Sequence, residues 1–215
     1  MKKENRKRNT EYGKSLRKGL LFVLSAPSGG GKTTVKKHIM KKFPKMFFSV
    51  SCATRAKRKT EKDGRDYLFV SREKFLKMRK KGELLEWAKV YGDFYGTPKA
   101  PAERAMKQGK SVFLAVDIKG GKSIKKLYGG RAVLIFIAPP SLKELQRRLK
   151  KRGDLSSDAL KRRLSLAKSE IREAKKYYDY FVINDTLETC LMAVRSIIIA
   201  EKRRIRNRQK IWRNI

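Results

Sequence analysis

Cysteine and histidine are scarce in this chain of 215 residues. It contains two cysteines, Cys52 and Cys190, and one histidine, His38. Two cysteines without CxxC spacing are too few for a disulfide framework and indicate two free thiols in a reducing compartment. A single histidine excludes a histidine-based metal cluster and argues against a Ser/His/Asp triad. The composition therefore disfavours disulfide-stabilised secreted domains, Cys/His metal proteins and triad hydrolases.

Long hydrophobic runs are also absent. The longest, at residues 20–24 and 133–138, are far shorter than the roughly 18 to 20 apolar residues of a membrane-spanning helix. Residues 1–19 are rich in lysine and arginine and almost free of apolar side chains, so no signal-peptide core is present. We therefore expect a soluble, cytoplasmic protein with no membrane partner, and we interpret residues 1–18 as a basic, disordered arm.

Acidic residues are few compared with basic ones. The chain has 20 Asp and Glu against 57 Lys and Arg, a formal net charge of +37. This exceeds the charge that solubility requires, and such a chain attracts polyanions. Two interpretations stay open: a solvated, lysine-rich surface, or functional binding to nucleic acid or membrane. Nonspecific polyanion binding would use the basic ends, the arm and a tail at residues 203–215.

The apolar runs that are present alternate with helix-compatible segments. Runs at residues 20–24, 112–116, 133–138 and 180–183 predict buried strands of a parallel sheet. Segments at residues 33–42, 102–107, 120–127 and 141–151 predict the helices between them. The length suits one globular core, and the alternation predicts a three-layer α/β fold.

Residues 51–97 interrupt this alternation. Strands predicted at 67–70 and 84–91, with turns at 63–64 and 91–93, indicate a small, mainly β insertion. Further along, the turn-rich residues 152–157 suggest a mobile lid, with Ser157 as the N-cap of a long helix that runs to residue 177. A last helix begins at residue 187 and leads into the basic tail.

The sequence Ala-Pro-Ser-Gly-Gly-Gly-Lys-Thr at residues 26–33 lies between a predicted strand and a predicted helix. This is the context that the GxxxxGK[ST] motif requires, and only its first glycine is replaced, by Ala26. Small residues let backbone N–H groups converge on phosphate oxygens, and the helix N-terminus adds a favourable dipole. Lys32 would reach the β and γ phosphates of a nucleoside triphosphate, and Thr33 would ligate Mg²⁺. By itself the motif leaves the acceptor of the phosphoryl group open.

Several further motifs resemble those of the guanylate kinase family, over about residues 19–202. In order, they are SVSCATR at 49–55, Arg58, Glu61, GRDYLFV at 64–70, LEWA at 85–88, YGT at 95–97, APPS at 138–141, RG at 152–153, RRL at 162–164 and VIND at 182–185. The resemblance implies a P-loop core with a GMP-binding insertion at about residues 51–97 and a lid at about 152–164. It also implies a kinase of purine nucleotide metabolism that transfers the γ-phosphoryl group of ATP, with Mg²⁺, to GMP or dGMP.

The resemblance further implies roles for single residues. For GMP they are Ser51, Glu86 and Thr97 at the guanine edge, Arg55, Arg58, Tyr67 and Tyr95 at the phosphate, and Glu61 and Asp117 beside them. For ATP they are Ala26, Pro27, Ser28, Gly29, Gly30, Gly31, Lys32, Thr33, Thr34 and, near adenine, Asn184. For the transfer step they are Lys32, Arg55, Arg152 and Arg163, with Thr33 on the metal. A carboxylate at 86 suits guanine, because it can accept hydrogen bonds from N1–H and from the exocyclic amine, which adenine does not offer together.

The chain departs from the family pattern at two positions. Ala115 stands where the family usually has an acid near Mg²⁺, in Leu114-Ala115-Val116-Asp117, and Ala53 replaces a threonine.

Two other classes of function remain as alternatives. A non-catalytic guanylate-kinase-like interaction module would generally lack a working P-loop, whereas Lys32 and Thr33 are intact. A nucleic-acid-binding P-loop protein is suggested by the net charge alone.

Overall fold

A computed structural model describes residues 19–151 and 156–204, which form nine strands and seven α-helices. The strands are β1 (Leu21–Ser25), β2 (Phe47–Phe48), β3 (Cys52–Ala53), β4 (Leu68–Phe69), β5 (Leu84–Val90), β6 (Asp93–Pro98), β7 (Val112–Ala115), β8 (Ala132–Ala138) and β9 (Tyr180–Ile183). The helices are α1 (Lys32–Lys42), α2 (Arg72–Lys80), α3 (Lys99–Lys107), α4 (Ile118–Tyr128), α5 (Leu142–Lys151), α6 (Ser157–Tyr177) and α7 (Leu187–Arg203). None of these helices is long and apolar enough to cross a membrane.

The central sheet is parallel, with the order β2-β7-β1-β8-β9. Parallel strands are joined by crossover helices that cover both faces, so their sequences are apolar throughout, and β1 and β8 are buried along their whole length. The expectation of four fully buried strands is wrong for β9. This strand lies at the edge of the sheet, where Phe181 and Ile183 are 38% and 46% exposed. The opposite edge strand, β2, has only two residues and was not predicted.

Successive residues of β1 point to opposite faces of the sheet, and each face has its own core. Phe22 and Leu24 pack with α1 and α7, through Val35, Ile39, Cys190, Val194 and Ile198. Leu21 and Val23 pack with α3 and α4, through Ala102, Ala105, Met106 and Ile124. Each fully buried leucine or phenylalanine contributes about 1.5–3 kcal/mol. The predicted three-layer α/β fold is confirmed.

A second, four-stranded sheet, β4-β3-β6-β5, lies within the predicted insertion. Helix α2 packs on it and was missed by the sequence analysis, since Phe75 is the only fully buried residue of this basic helix. The Phe75 ring stacks on that of Phe94 of β6, with centroids 5.4 Å apart. Between β5 and β6 the chain reverses at Tyr91 and Gly92, whose φ angles are 51° and 92°. The predicted turn at 91–93 is therefore present and is the tip of this hairpin.

The start of α6 corrects one predicted cap. The N-cap residue is Ser156 and not Ser157, because the Ser156 side chain accepts a hydrogen bond from the backbone N–H of Ala159 at 3.3 Å. An N-cap serine satisfies one of the free N–H groups at a helix start, and either of two adjacent serines suits the sequence pattern. Three predicted segments lie outside the described residues: the arm at 1–18, residues 152–155 at the start of the lid, which include Arg152, and residues 205–215 of the tail.

Candidate functional site

A cleft opens at the carboxyl ends of β1 and β7, where ligands typically bind in parallel α/β sheets. From the core it is lined by the phosphate loop (residues 26–33) and by residues 115–117. The side chains that line it from the insertion and from α6 include Ser51, Arg55, Arg58, Tyr67, Glu86, Tyr95, Arg163 and Glu170. The fold thus brings together residues that are up to about 140 positions apart in the chain.

The phosphate loop depends on two glycines with positive φ. Gly29 and Gly31 have φ angles of 89° and 100°, a conformation that L side chains rarely adopt. A Cβ atom on Gly31 would also collide with the side-chain amide of Asn184, whose Nδ2 donates to the carbonyl oxygen of Gly30 at 2.8 Å. Gly31 is the N-cap of α1 and offers no capping side chain. The free N–H groups at this helix start therefore suit an anionic ligand.

Lys32 places its ammonium group inside the cleft. Its Nζ donates a 3.0 Å hydrogen bond to the carbonyl oxygen of Val116, just beyond the end of β7. Burial lowers the pKa of Lys32, while the charges of Asp117, Glu170 and Glu86 oppose that shift. A largely desolvated cation with acidic neighbours is prepared to bind a phosphate, because little hydration must be removed when the anion arrives.

Arg55 and Glu61 form a bidentate ion pair in the insertion. Both Arg55 terminal nitrogens donate to the Glu61 carboxylate at 2.6 Å, and this contact raises the pKa of Arg55 and lowers that of Glu61. The guanidinium lies 5.1 Å from the centre of the Tyr67 ring, and that ring is 6.0 Å from the ring of Tyr95. Within the described residues, Nε of Arg55 is buried and has no hydrogen-bond partner. Glu61 thus orients the guanidinium of Arg55 where it lines the cleft.

Glu86, Thr97 and Ser51 form a buried polar chain. Thr97 Oγ1 donates to Oε1 of Glu86 at 2.6 Å, and Ser51 Oγ lies 3.4 Å from Thr97 Oγ1. Glu86 is only 6% exposed, and burial raises its pKa to about 7. Its Oε2 lies so close to Gly120 of α4 that a Cβ there would clash with it. The three residues predicted for base recognition therefore act as one hydrogen-bonded unit, with Thr97 behind Glu86 and outside the cleft lining.

The remaining predicted residues occupy different places. Asp117 lines the cleft and caps α4, because its Oδ1 accepts from the backbone N–H of Gly120 at 2.8 Å. Arg163 of α6 lies over the ring of Tyr91, with Cζ 5.1 Å from the ring centroid, and so connects α6 to the tip of the insertion hairpin. Thr34 is exposed and lies outside the cleft lining. Asn184 supports the phosphate loop and also lies outside the lining, so its implied place near adenine stays a prediction.

Glu170 is a residue of the cleft that the sequence analysis missed. It lies on α6, seven positions after Arg163, so the two side chains share one face of the helix two turns apart. That spacing was a usable signal, but in a helix with many charged residues it did not distinguish Glu170 from solvent-exposed acids. Burial raises the pKa of Glu170 to about 7, and the neighbouring charge of Lys32 opposes the shift.

Comparison with known proteins agrees with this architecture. The guanylate kinase family model matches residues 18–201. The chain is 44% identical over 187 residues to a guanylate kinase of Carboxydothermus hydrogenoformans, covering 87% of this chain and 91% of that one. It is 43% identical over 197 residues to a guanylate kinase of Thermotoga maritima, covering 91% and 94%. The crystal structure of guanylate kinase from Anaplasma phagocytophilum superposes with a TM-score of 0.74 at 34% identity, over 89% of this chain and 90% of that one. The chain therefore belongs to the guanylate kinase family.

Proposed function

We propose that this chain transfers the γ-phosphoryl group of ATP, bound with Mg²⁺, to the phosphate of GMP, giving ADP and GDP. The observation that carries the proposal is the meeting of two sites in one cleft. A phosphate loop with its lysine lies on the core side, and a buried carboxylate with an oriented arginine lies on the insertion side. This pairing suits a reaction between two nucleotides, because each side offers charges or hydrogen-bond partners for one of them.

The donor side suits a triphosphate. Gly31 provides no capping side chain at the start of α1, and the ammonium group of Lys32 lies at the carboxyl end of β7, beside the carbonyl oxygen of Val116. A metal ion bound with ATP would neutralise phosphate charge and would be held by the hydroxyl of Thr33. The described residues contain no cluster of three or more Asp, Glu, His or Cys side chains that could hold a metal alone, so the phosphates would complete the ion's ligand set.

The acceptor side suits GMP. The buried carboxylate of Glu86 has one oxygen on Thr97, and its other oxygen can accept from guanine N–H groups. Adenine presents an acceptor at its N1 position, and a desolvated carboxylate facing an acceptor would be left unpaired. Arg55, Arg58, Tyr67 and Tyr95 line the same cleft and would hold the phosphate of GMP.

In this arrangement the protein positions reactants and stabilises charge. The phosphate oxygen of GMP attacks the γ-phosphorus atom in line, the bond to the β–γ bridging oxygen breaks, and ADP leaves. Lys32, Arg55 and Arg163 line the cleft and would offset the negative charge of the transferring group. Arg152 is assigned the same role by the resemblance and lies outside the described residues. No side chain is needed as a nucleophile.

The alternatives have less support in the geometry. A purely non-catalytic interaction module has no use for an uncapped helix start with a desolvated lysine beside it. Binding to nucleic acid is suggested only by the net charge of +37. Weak polyanion binding through the basic ends and a cytoplasmic location stay predictions.

A coupled assay of ADP release tests the proposal, with ATP as donor and GMP, dGMP, AMP, CMP or UMP as acceptor. We expect turnover with GMP, weaker or similar turnover with dGMP, and little with the other three. Equal turnover with AMP and GMP, or ATP hydrolysis that ignores the acceptor, would contradict it. Retention on immobilised RNA at physiological salt without kinase activity would favour the nucleic-acid alternative.

A further inference from the structure

The tip of the insertion hairpin carries a residue that its backbone conformation does not favour. Tyr91 and Gly92 form a two-residue loop, because Val90 pairs with Asp93 across the hairpin. Both loop residues have positive φ, 51° and 92°, and loops of this kind favour Asn-Gly, since most other L side chains rarely adopt such angles. Tyr91 is the one non-glycine residue with positive φ in the described ranges 19–151 and 156–204. Local conformation therefore does not account for a tyrosine at this position.

Burial does not account for this tyrosine either. Tyr91 is 53% exposed and lines the cleft. The guanidinium carbon Cζ of Arg163, on α6, lies over the Tyr91 ring at 5.1 Å from its centroid. This distance is within the range in which the face of an aromatic ring attracts a cation. Residues held in unfavourable backbone conformations cluster at functional sites, and the contact of Tyr91 with Arg163 lies at such a site.

The ring restrains Arg163 without neutralising its charge. Across the part of the chain that the structure describes, Arg163 has no hydrogen bond or ion pair with another residue. Arg55 differs, because both its terminal nitrogens donate to the Glu61 carboxylate at 2.6 Å. A carboxylate neutralises a guanidinium and occupies its N–H groups, whereas the face of an aromatic ring does neither. Arg163 is thus held at the cleft in a form that suits an anionic partner such as a phosphoryl group.

The hairpin that carries Tyr91 also carries residues of the acceptor side. Glu86 lies on β5 and Tyr95 lies on β6, and both line the cleft. The two strands pair along the hairpin, so that its tip and these residues belong to one hydrogen-bonded unit. The contact between Tyr91 and Arg163 therefore links the acceptor side of the cleft to helix α6.

We propose that Tyr91 is a positioning residue for the transfer step: its ring holds the guanidinium of Arg163 at the cleft, where the arginine offsets the charge of the transferring phosphoryl group. This role rests on the proposed function, which assigns Arg163 to that step. Because the ring belongs to the hairpin that we assign to GMP, the arginine is placed against the element that binds the acceptor. Loss of the ring should therefore lower kcat more than it weakens the binding of either nucleotide.

Tyr91→Asn tests the proposal, because it removes the ring and suits the loop. Asn-Gly is the preferred pair in such a hairpin loop, so the melting temperature should equal or exceed that of the wild type. In a coupled assay of ADP release, kcat should fall about two- to fivefold, the range that an exposed cation–π contact provides. KM for ATP and KM for GMP should each change by less than about twofold. Tyr91→Phe keeps the ring and should keep the wild-type kcat.

Tyr177→Asn is the matched control. Tyr177 is 49% exposed, ends the same helix α6 and also contacts a cation, with Nζ of Lys122 at 4.1 Å from its ring centroid. It does not line the cleft, so its replacement should leave kcat unchanged. An equal fall of kcat in Tyr91→Asn and Tyr177→Asn would show that the loss of any exposed ring is sufficient. That result would overturn a specific role for Tyr91.

A double-mutant cycle tests whether Tyr91 acts through Arg163. Arg163→Met keeps a long side chain without the charge, so adding Tyr91→Asn should have little further effect on the residual kcat. If Tyr91→Asn lowers kcat by the same factor with and without the arginine, the ring acts on another group and the proposal is wrong.

The kinetics of Tyr91→Asn can contradict the proposal in two further ways. An unchanged or raised kcat in the folded variant would overturn it, and a raised kcat would mean that the ring holds Arg163 away from the phosphates. A rise in KM for GMP at an unchanged kcat would assign Tyr91 to substrate binding and would also overturn it. A wild type without GMP-dependent turnover would contradict the proposed function itself, and this role with it. An active wild type whose kcat does not depend on the ring would contradict only the role of Tyr91.

Discussion

The hydroxyl of Thr97 donates a 2.6 Å hydrogen bond to Oε1 of Glu86 in the interior of the insertion. This bond stabilises the carboxylate form, but burial has the larger effect and raises the pKa of Glu86 to about 7. The residue that we assign to guanine recognition is therefore poised between its neutral and charged forms near neutral pH. Only the charged form presents acceptors on both oxygens, one for Thr97 and one for the base.

The first prediction concerns pH. Glu86 is protonated below about pH 7 and charged above it, so kcat/KM for GMP at saturating ATP should rise as the pH goes from about 6 to about 8. The profile is measured from initial rates of ADP release. In Glu86→Gln, the rise should be lost because the amide does not titrate. A wild-type profile that is flat over this range would show that the ionisation of Glu86 does not control GMP binding.

The second prediction concerns Lys32. Lys32→Ala removes the cation that we assign to the ATP phosphates, and the fold should persist because, within the residues that the structure describes, the substitution removes one side-chain hydrogen bond, to the carbonyl oxygen of Val116. Activity should fall to less than about a tenth of the wild-type value, given the size of such electrostatic effects. ADP release with GMP present is measured beside a thermal melt. Lys42→Ala, at the exposed end of the same helix, is the control and should keep full activity. Substantial turnover by a folded Lys32→Ala protein would remove this lysine from the transfer step.

The third prediction concerns the ion pair of Arg55 with Glu61. Glu61→Gln leaves a side chain of the same size but weakens both 2.6 Å contacts, so the arginine should lose its orientation. We expect KM for GMP to rise about three- to tenfold with a smaller change in kcat, because the loss concerns phosphate binding. Glu73→Gln, an exposed acid on α2 of the same insertion, should behave as wild type. If KM for ATP rises instead, the pair serves the donor side.

The fourth prediction concerns Ala115, the last residue of β7, which lines the cleft beside Asp117. A carboxylate here would face the region of the metal and its waters, whereas alanine leaves Thr33, the phosphates and water to complete the shell. Ala115→Glu should therefore lower the Mg²⁺ concentration for half-maximal rate, with little change in KM for GMP. Ala115→Gln has similar bulk without charge and should not lower it. The same Mg²⁺ dependence in the wild type and Ala115→Glu would mean that this position has no metal role.

The sequence predicted those parts of the molecule that depend on local patterns. The phosphate loop and its place between β1 and α1 follow from small residues, one lysine and the apolar run before them. The residues that we propose for base recognition could be named only through the family resemblance, because Glu86 by itself alternates with apolar neighbours like any solvent-facing strand acid. Its 6% exposure depends on α4 packing against β5 at Gly120, which is a tertiary contact.

The features that were missed also depend on tertiary structure. Helix α2 buries only Phe75, so its sequence carries little helical periodicity. The exposure of Phe181 follows from the position of β9 at the sheet edge, which strand composition does not reveal. Glu170 was missed because it reaches the cleft through the tertiary placement of α6, which its neighbours in the chain do not reveal.

The central claim is that a buried carboxylate at position 86 selects GMP as the acceptor. It is tested most directly by kcat/KM for GMP and for AMP, measured side by side for the wild type and Glu86→Gln at about pH 8, where the carboxylate is charged. We predict that the wild type prefers GMP strongly, and that the substitution reduces the GMP-to-AMP ratio by about tenfold or more, mainly through GMP, because a charge-assisted hydrogen bond is lost. An unchanged ratio in a folded Glu86→Gln protein would contradict the claim.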